Sequence, residues 1–116
     1  MMRRLTSLAV IIAFFCFAVA WSLKAHEATS GWAYPYECCS NQDCARVAPD
    51  AVKERRGGWH VTVLPGTHPQ VPAGAAAVMV FVPVSEARPS PDGEWHICLH
   101  PSDKRLLCFF NPPGGV

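Results

Sequence analysis

Cysteine placement constrains this chain more than any other feature. Beyond Cys16, which lies in an apolar run near the start, five cysteines remain, in two groups far apart: Cys38, Cys39 and Cys44, then Cys98 and Cys108. Five sites allow 15 two-bridge patterns with one cysteine left over. A bond within the adjacent pair Cys38–Cys39 would close a strained eight-membered ring, and dropping the three patterns that need it leaves 12. The two neighbours therefore point different ways, each to a separate partner or one to none. A bridge from the first group to the second would close a loop of roughly 60 residues, for which chain entropy gives about 4 kcal/mol. That is comparable to the whole stability of a small domain.

The first 25 residues read as a secretory signal. Arg3 and Arg4 supply the positive start, Leu8 to Trp21 is an unbroken apolar run of 14 residues, and Ser22-Leu23-Lys24-Ala25 is a polar stretch after it. The run is short for a membrane span, which needs roughly 20 residues. Cleavage after Ala20 would use the small-x-small pattern Ala18-Val19-Ala20 but would fall inside the apolar run. Cleavage after Ala25 leaves the spacer intact and a new N-terminal His26, and is favoured; an uncleaved leader would hold the chain at a membrane. The expected organisation is thus a signal peptide over residues 1–25 and one small domain over 26–116. Residues 26–116 carry seven basic and nine acidic side chains. No basic block is left to neutralise a phosphate backbone, which excludes nucleic acid as a partner. Five cysteines among 91 residues fit a stapled scaffold in an oxidising compartment, so the domain is expected to be periplasmic or secreted.

Within the domain, Glu27 to Glu37 reads as extended, with Trp32, Tyr34 and Tyr36 alternating. Ser40 with Asp43 resembles a capping box, so a short helical segment is expected over Asn41 to Arg46. Asp50 to Arg56 fits either a short helix closed by Gly57 or, preferably, the first arm of a hairpin turning at Arg56-Gly57-Gly58. Trp59 to Leu64 alternates like a strand. Pro65 to Ala75 is a loop, held irregular by Pro65, Pro69 and Pro72. Ala77 to Val84 is continuously apolar and predicts a strand buried on both faces. Arg88 to Gly93 is turn chemistry, and Trp95–Leu99 with Leu106–Phe110 predicts a hairpin. The expected fold is mainly β: four or five short strands in a small antiparallel sheet or half-barrel, with one short N-terminal helical segment, stapled by disulfides.

Tyr34-Pro35-Tyr36-Glu37-Cys38-Cys39-Ser40, followed by Asp43-Cys44, resembles the opening of a group of small exported bacterial proteins. Members of that group also carry a Pro-Ser-x-Asp-Gly turn, here Pro89 to Gly93, then a strand with His and Cys, here His96 and Cys98. They finish on Cys-x-Phe-x-Pro-Pro, here Cys108 to Pro113. The resemblance implies export and disulfides, and implies no activity.

Three constellations are candidates for chemistry. His96-x-Cys98-x-His100 would place three donors about 7 Å apart on one strand face, a spacing suited to copper or zinc. A disulfide at Cys98 would remove the middle ligand, and the alternative leaves both imidazoles at the solvent face. His26, if N-terminal, could chelate copper through its amine and ring with help from a second histidine. The third is thiol chemistry at Cys38 or Cys39, but no Cys-x-x-Cys is present, and Glu37 and Asp43 would raise a neighbouring thiol's pKa. The odd cysteine leaves room for a covalent dimer. Trp32, Tyr34 and Tyr36 could form an aromatic partner surface, and Pro65 to Pro72 a second one. Glu37, Glu54, Glu86 and Glu94 show no paired spacing for acid–base work, and Gly57-Gly58 lacks the lysine-bearing loop or helix of a phosphate cradle. The functional expectation is a non-enzymatic binding module for a periplasmic protein or envelope component, without a cofactor; the alternative is a copper- or zinc-binding protein using His96 and His100.

Overall fold

The computed structural model describes residues 27–28, 30–39 and 42–113. The leader, His26 and Ser40 lie outside the described residues. The fold is mainly β, as expected, with more strands than the sequence suggested. Among the described residues there are seven: β1 (Cys44–Val47), β2 (Val52–Arg55), β3 (Gly58–Val63), β4 (Val78–Pro83), β5 (Ala87–Pro89), β6 (Trp95–Leu99) and β7 (Leu106–Asn111). They form two sheets, one of order β1-β6-β7-β5 and one of order β2-β3-β4. All pairings are antiparallel except β5 with β7.

The alternation of β6 and β7 divides the apolar residues between two cores. Ile97, Leu99 and Phe109 face the three-stranded sheet and join Val47, Trp59, Val61, Val63, Val71 and Val82 in one buried cluster. Cys98, Cys108 and Phe110 face the opposite way, where Ala28, Tyr34, Cys38, Cys39 and Cys44 cover them. The four-stranded sheet is therefore a middle layer, with the second sheet on one side and residues 28–39 on the other. Cys98 pairs with Cys108 and Leu99 with Leu106, so Leu107 is an extra residue in β7. That bulge turns Leu106 toward one cluster and Leu107 toward the other. Among the described residues both clusters and both disulfides lie between Ala28 and Phe110.

The expected hairpin over residues 50–64 is present, with Arg55 opposite Gly58 across the turn Arg56-Gly57. Gly57 has φ +83°, a conformation glycine adopts without strain. Gly58 is needed for a different reason: a Cβ there would run into the carbonyl of Val82 on the neighbouring β4. Gly58→Ala is expected to destabilise the domain by about 1–3 kcal/mol, read as a lower urea midpoint with unchanged slope.

Several local expectations are corrected. Cys44 to Arg46 belongs to strand β1 instead of a helix, because Cys44 to Val47 pairs residue by residue with Cys98 to Trp95. The helical turn lies earlier: the N–H groups of Cys38 and Cys39 both donate to the Pro35 carbonyl, at 2.9 and 3.0 Å. A 3-10 turn over Pro49–Ala51 leads into β2. Glu27 to Ala33 is not extended but reverses tightly, with Ala28 N–H donating to the Trp32 carbonyl and Gly31 N–H to that of Ala28. The segment Ala77–Val84 is not buried on both faces. Its β4 is an edge strand in which Val82 is buried while Met79 and Phe81 are 70% and 46% exposed.

Candidate interaction surface

Four of the five cysteines form two nested bridges, Cys38–Cys108 and Cys44–Cys98, spanning 70 and 54 residues. Cys39 takes part in neither and is fully buried. Both bridges join the N-terminal group to the final hairpin, one of the open alternatives above. The residues follow from register: Cys44, Cys98 and Cys108 are opposite one another on β1, β6 and β7. The helical turn at Pro35 then brings Cys38 over this row.

Beside the bridges lies a buried polar latch that the sequence reading did not assemble. Tyr34 Oη is 2.8 Å from His96 Nδ1, and His96 Nε2 is 2.9 Å from both carboxylate oxygens of Asp92. Trp32 Nε1–H donates to Asp92 Oδ2 at 3.0 Å, the Ser30 hydroxyl donates to the same oxygen at 2.5 Å, and Glu94 N–H donates to Oδ1 at 3.0 Å. With Nε2–H donating to the Asp92 carboxylate, Nδ1 is left to accept from the Tyr34 hydroxyl. Burial drives the Tyr34 phenol well above its ordinary value, aided by the charges of Asp92 and Cys39, so it keeps its proton to donate. Burial also pushes Asp92 upward. The hydrogen bonds from Ser30, His96, Glu94 N–H and Trp32 outweigh it and hold the carboxyl well below the usual carboxylate range.

This arrangement reassigns the residues nominated above. His96 is fully buried instead of lying at a solvent face, and both ring nitrogens are engaged. Cys98 is in a disulfide, and His100 Nδ1 is 2.8 Å from the Ser102 hydroxyl. His96, Cys98 and His100 do not fit a shared copper or zinc site in this arrangement. Among the described residues no cluster of three His, Cys, Asp or Glu side chains is placed to hold a metal ion; His26 lies outside them. The aromatic trio divides likewise. Tyr34 is 3% exposed, Trp32 is half-buried against Tyr34, His96 and Phe110, and only Tyr36 is open to solvent. Trp32 and Tyr34 thus serve as packing and hydrogen-bond partners, and do not form a stripe for another molecule. In the Pro65–Pro72 loop, His68 and Val71 are buried, with His68 Nε2–H donating to the Ile97 carbonyl at 3.1 Å.

What remains at the surface is elsewhere. Register puts Lys53, His60 and Phe81 in one row across the three-stranded sheet, with Thr62 and Met79 in the next, all on the face away from the core. Phe81 packs edge-on to His60 with ring centroids 5.4 Å apart. Val84, 60% exposed, is drawn to the same end by its N–H donating to the Gly57 carbonyl at 3.0 Å. Separately, a cleft of about 290 Å³ lies where β3 outruns β2, lined by Val47, Ala51, Val63 and Leu64 together with Arg46 and Lys53. Sequence reading missed Asp92, taken as mere turn chemistry, and Met79 and Phe81, taken as core. A carboxylate four residues before a strand histidine was the signal available for the first. Nothing local distinguished the second.

Among the described residues no helix is long and apolar enough to cross a membrane. Comparison of the chain with known protein families, with curated proteins and with solved structures finds no match.

Proposed function

We propose that this chain is an exported, non-enzymatic module of the periplasm that binds a protein or component of the cell envelope. The observation that carries the reading is a division of labour among its side chains. The groups best suited to chemistry, His96, Tyr34, Asp92 and four cysteines, are engaged inside the fold. Of the large exposed apolar side chains, Met79 and Phe81 lie on one sheet face, and Val84 follows β4 in the turn tied by its N–H to Gly57. That face belongs to a sheet whose other side packs on the four-stranded sheet through Trp59, Val61, Val63 and Val82, and a surface ordered before binding loses less entropy on association. The leader and the resemblance to small exported proteins support export, and the bridges fit an oxidising compartment.

The test pairs mass spectrometry with capture. Protein recovered from the periplasm is expected to start at His26 and to leave Cys38, Cys44, Cys98 and Cys108 unalkylated until it is reduced. In envelope extracts, a Met79→Ser/Phe81→Ser double variant with unaltered melting is expected to lose what the wild type retains. An identical set of retained components would reject the binding reading.

A further inference from the structure

The positive charge of the domain is distributed unevenly. Arg46, Arg88 and Arg105 each meet a carboxylate at 3.0–3.1 Å, those of Glu94, Glu37 and Asp103. Lys104 donates to the Pro101 carbonyl at 2.7 Å. The other three cations, Lys53, Arg55 and Arg56, have no carboxylate within ion-pair distance among the described residues. All three are exposed and lie on β2 and its turn. Lys53 shares its row with His60 and Phe81, Arg55 shares the next with Gly58 and Pro83, and Arg56 adjoins the turn that holds Val84. Glu54 projects to the other face by strand alternation, and Glu86 is exposed in the 3-10 turn after β4. A domain with more acidic than basic residues therefore gathers three of the four described cations that meet no carboxylate beside its exposed Phe, Met and Val side chains, Lys104 lying apart in the β6–β7 turn.

We infer that this face docks on an anionic phospholipid surface, with Phe81, Met79 and Val84 entering the headgroup boundary and Lys53, Arg55 and Arg56 meeting the phosphates. The inference rests on reading the chain as an envelope-binding module and names the component. A bilayer surface stacks phosphates above acyl chains. A flat sheet face with protruding apolar side chains and long cationic ones along its margin matches that layering, since arginine and lysine stems reach upward while their neighbours insert. Cations near an anionic surface attract it across the screening length, and the acidic remainder of the domain is repelled, which fixes the orientation.

The test uses the protein as recovered from the periplasm and sedimentation with two kinds of vesicle, phosphatidylglycerol mixed with phosphatidylcholine, and phosphatidylcholine alone. The wild type is expected to sediment with the first and not the second, and to be released when salt rises from about 0.1 M to about 1 M, where the screening length falls from about 10 to about 3 Å. Each of Lys53→Ser, Arg55→Ser and Arg56→Ser is expected to lower the partition roughly fivefold. Phe81→Ser should lower it as well, with melting of every variant recorded alongside. No sedimentation with phosphatidylglycerol, equal sedimentation with both vesicles, or variants that bind like the wild type would overturn the inference. So would Phe81-dependent self-association without vesicle binding. Phe81-dependent capture of an envelope protein with no vesicle binding would overturn the lipid assignment and leave the binding-module reading standing; loss of both would end both.

Discussion

Reduction of both disulfides is expected to unfold the domain at ambient temperature, and loss of either bridge alone to remove up to about 4 kcal/mol of stability. The bridges close loops of 70 and 54 residues, lengths at which unfolded-chain entropy gives close to the same figure for each. They are nested, so the first to be removed frees a chain that the other still constrains and costs less than this figure, while the last to be removed costs the whole of it. A domain of this size stands near the lower end of ordinary stability, about 5 kcal/mol. One bridge lost leaves it marginal; two lost leave it unfolded. Alanine is the right replacement, in pairs, because Cys44 and Cys98 are wholly buried and a serine hydroxyl there would lack a partner. Urea unfolding of Cys38→Ala/Cys108→Ala and of Cys44→Ala/Cys98→Ala measures the separate effects. A fully reduced chain that still melted sharply would contradict the account.

The second large effect is expected at Asp92. Asp92→Ala strips the acceptor from Trp32 Nε1 and from the buried His96 Nε2. Two such donors left without partners amount to about 2–6 kcal/mol at roughly 1–3 kcal/mol each. Tyr34→Phe, which removes one hydroxyl and preserves the ring packing, should be milder, about 1 kcal/mol. The pH dependence separates the carboxylate's charge from its shape. The folded-state pKa of Asp92 is depressed, so its contribution is fully present above the ordinary aspartate value of about 4 and is lost progressively as pH falls below it. Wild-type stability should therefore decline on the acid side of pH 4, and Asp92→Asn, which does not titrate, should show a flatter acid limb from a lower plateau. Acid limbs of equal slope would place the pH sensitivity elsewhere.

Elements fixed by short-range pattern were legible in the sequence. Trp95 to Phe110 declared its hairpin because alternation assigns Ile97 and Leu99 to one side and Cys98 to the other, and the sheet does use both sides. The Arg56-Gly57 turn was legible for the same local reason. What failed depended on distant partners. Cys44 to Arg46 carries a helix-start signal, but pairing with β6 and the bridge to Cys98 overrode that weak preference. Trp32 and Tyr34 looked like half of a surface stripe because the groups that bury them, Asp92 and His96, lie 60 and 62 residues away. In β4 an unbroken apolar run was read as two buried faces. Hydrophobicity records what a strand can bury, and not whether a layer exists to cover its second face. Parallel β5 was hidden inside Arg88-Pro89, residues that read as turn.

The nesting of the bridges also sets an order in time. A chain made from its N-terminus presents Cys38, Cys39 and Cys44 together, and Cys44 must wait for a partner 54 residues later while Cys38 waits 70. During that interval the partners in reach are each other, across at most six residues. Oxidation that outruns synthesis therefore captures a short, wrong ring first, and the native pair of bridges is reached through thiol exchange once β6 and β7 have arrived. The yield of correctly joined protein then depends on thiol exchange after Cys98 and Cys108 have joined the chain.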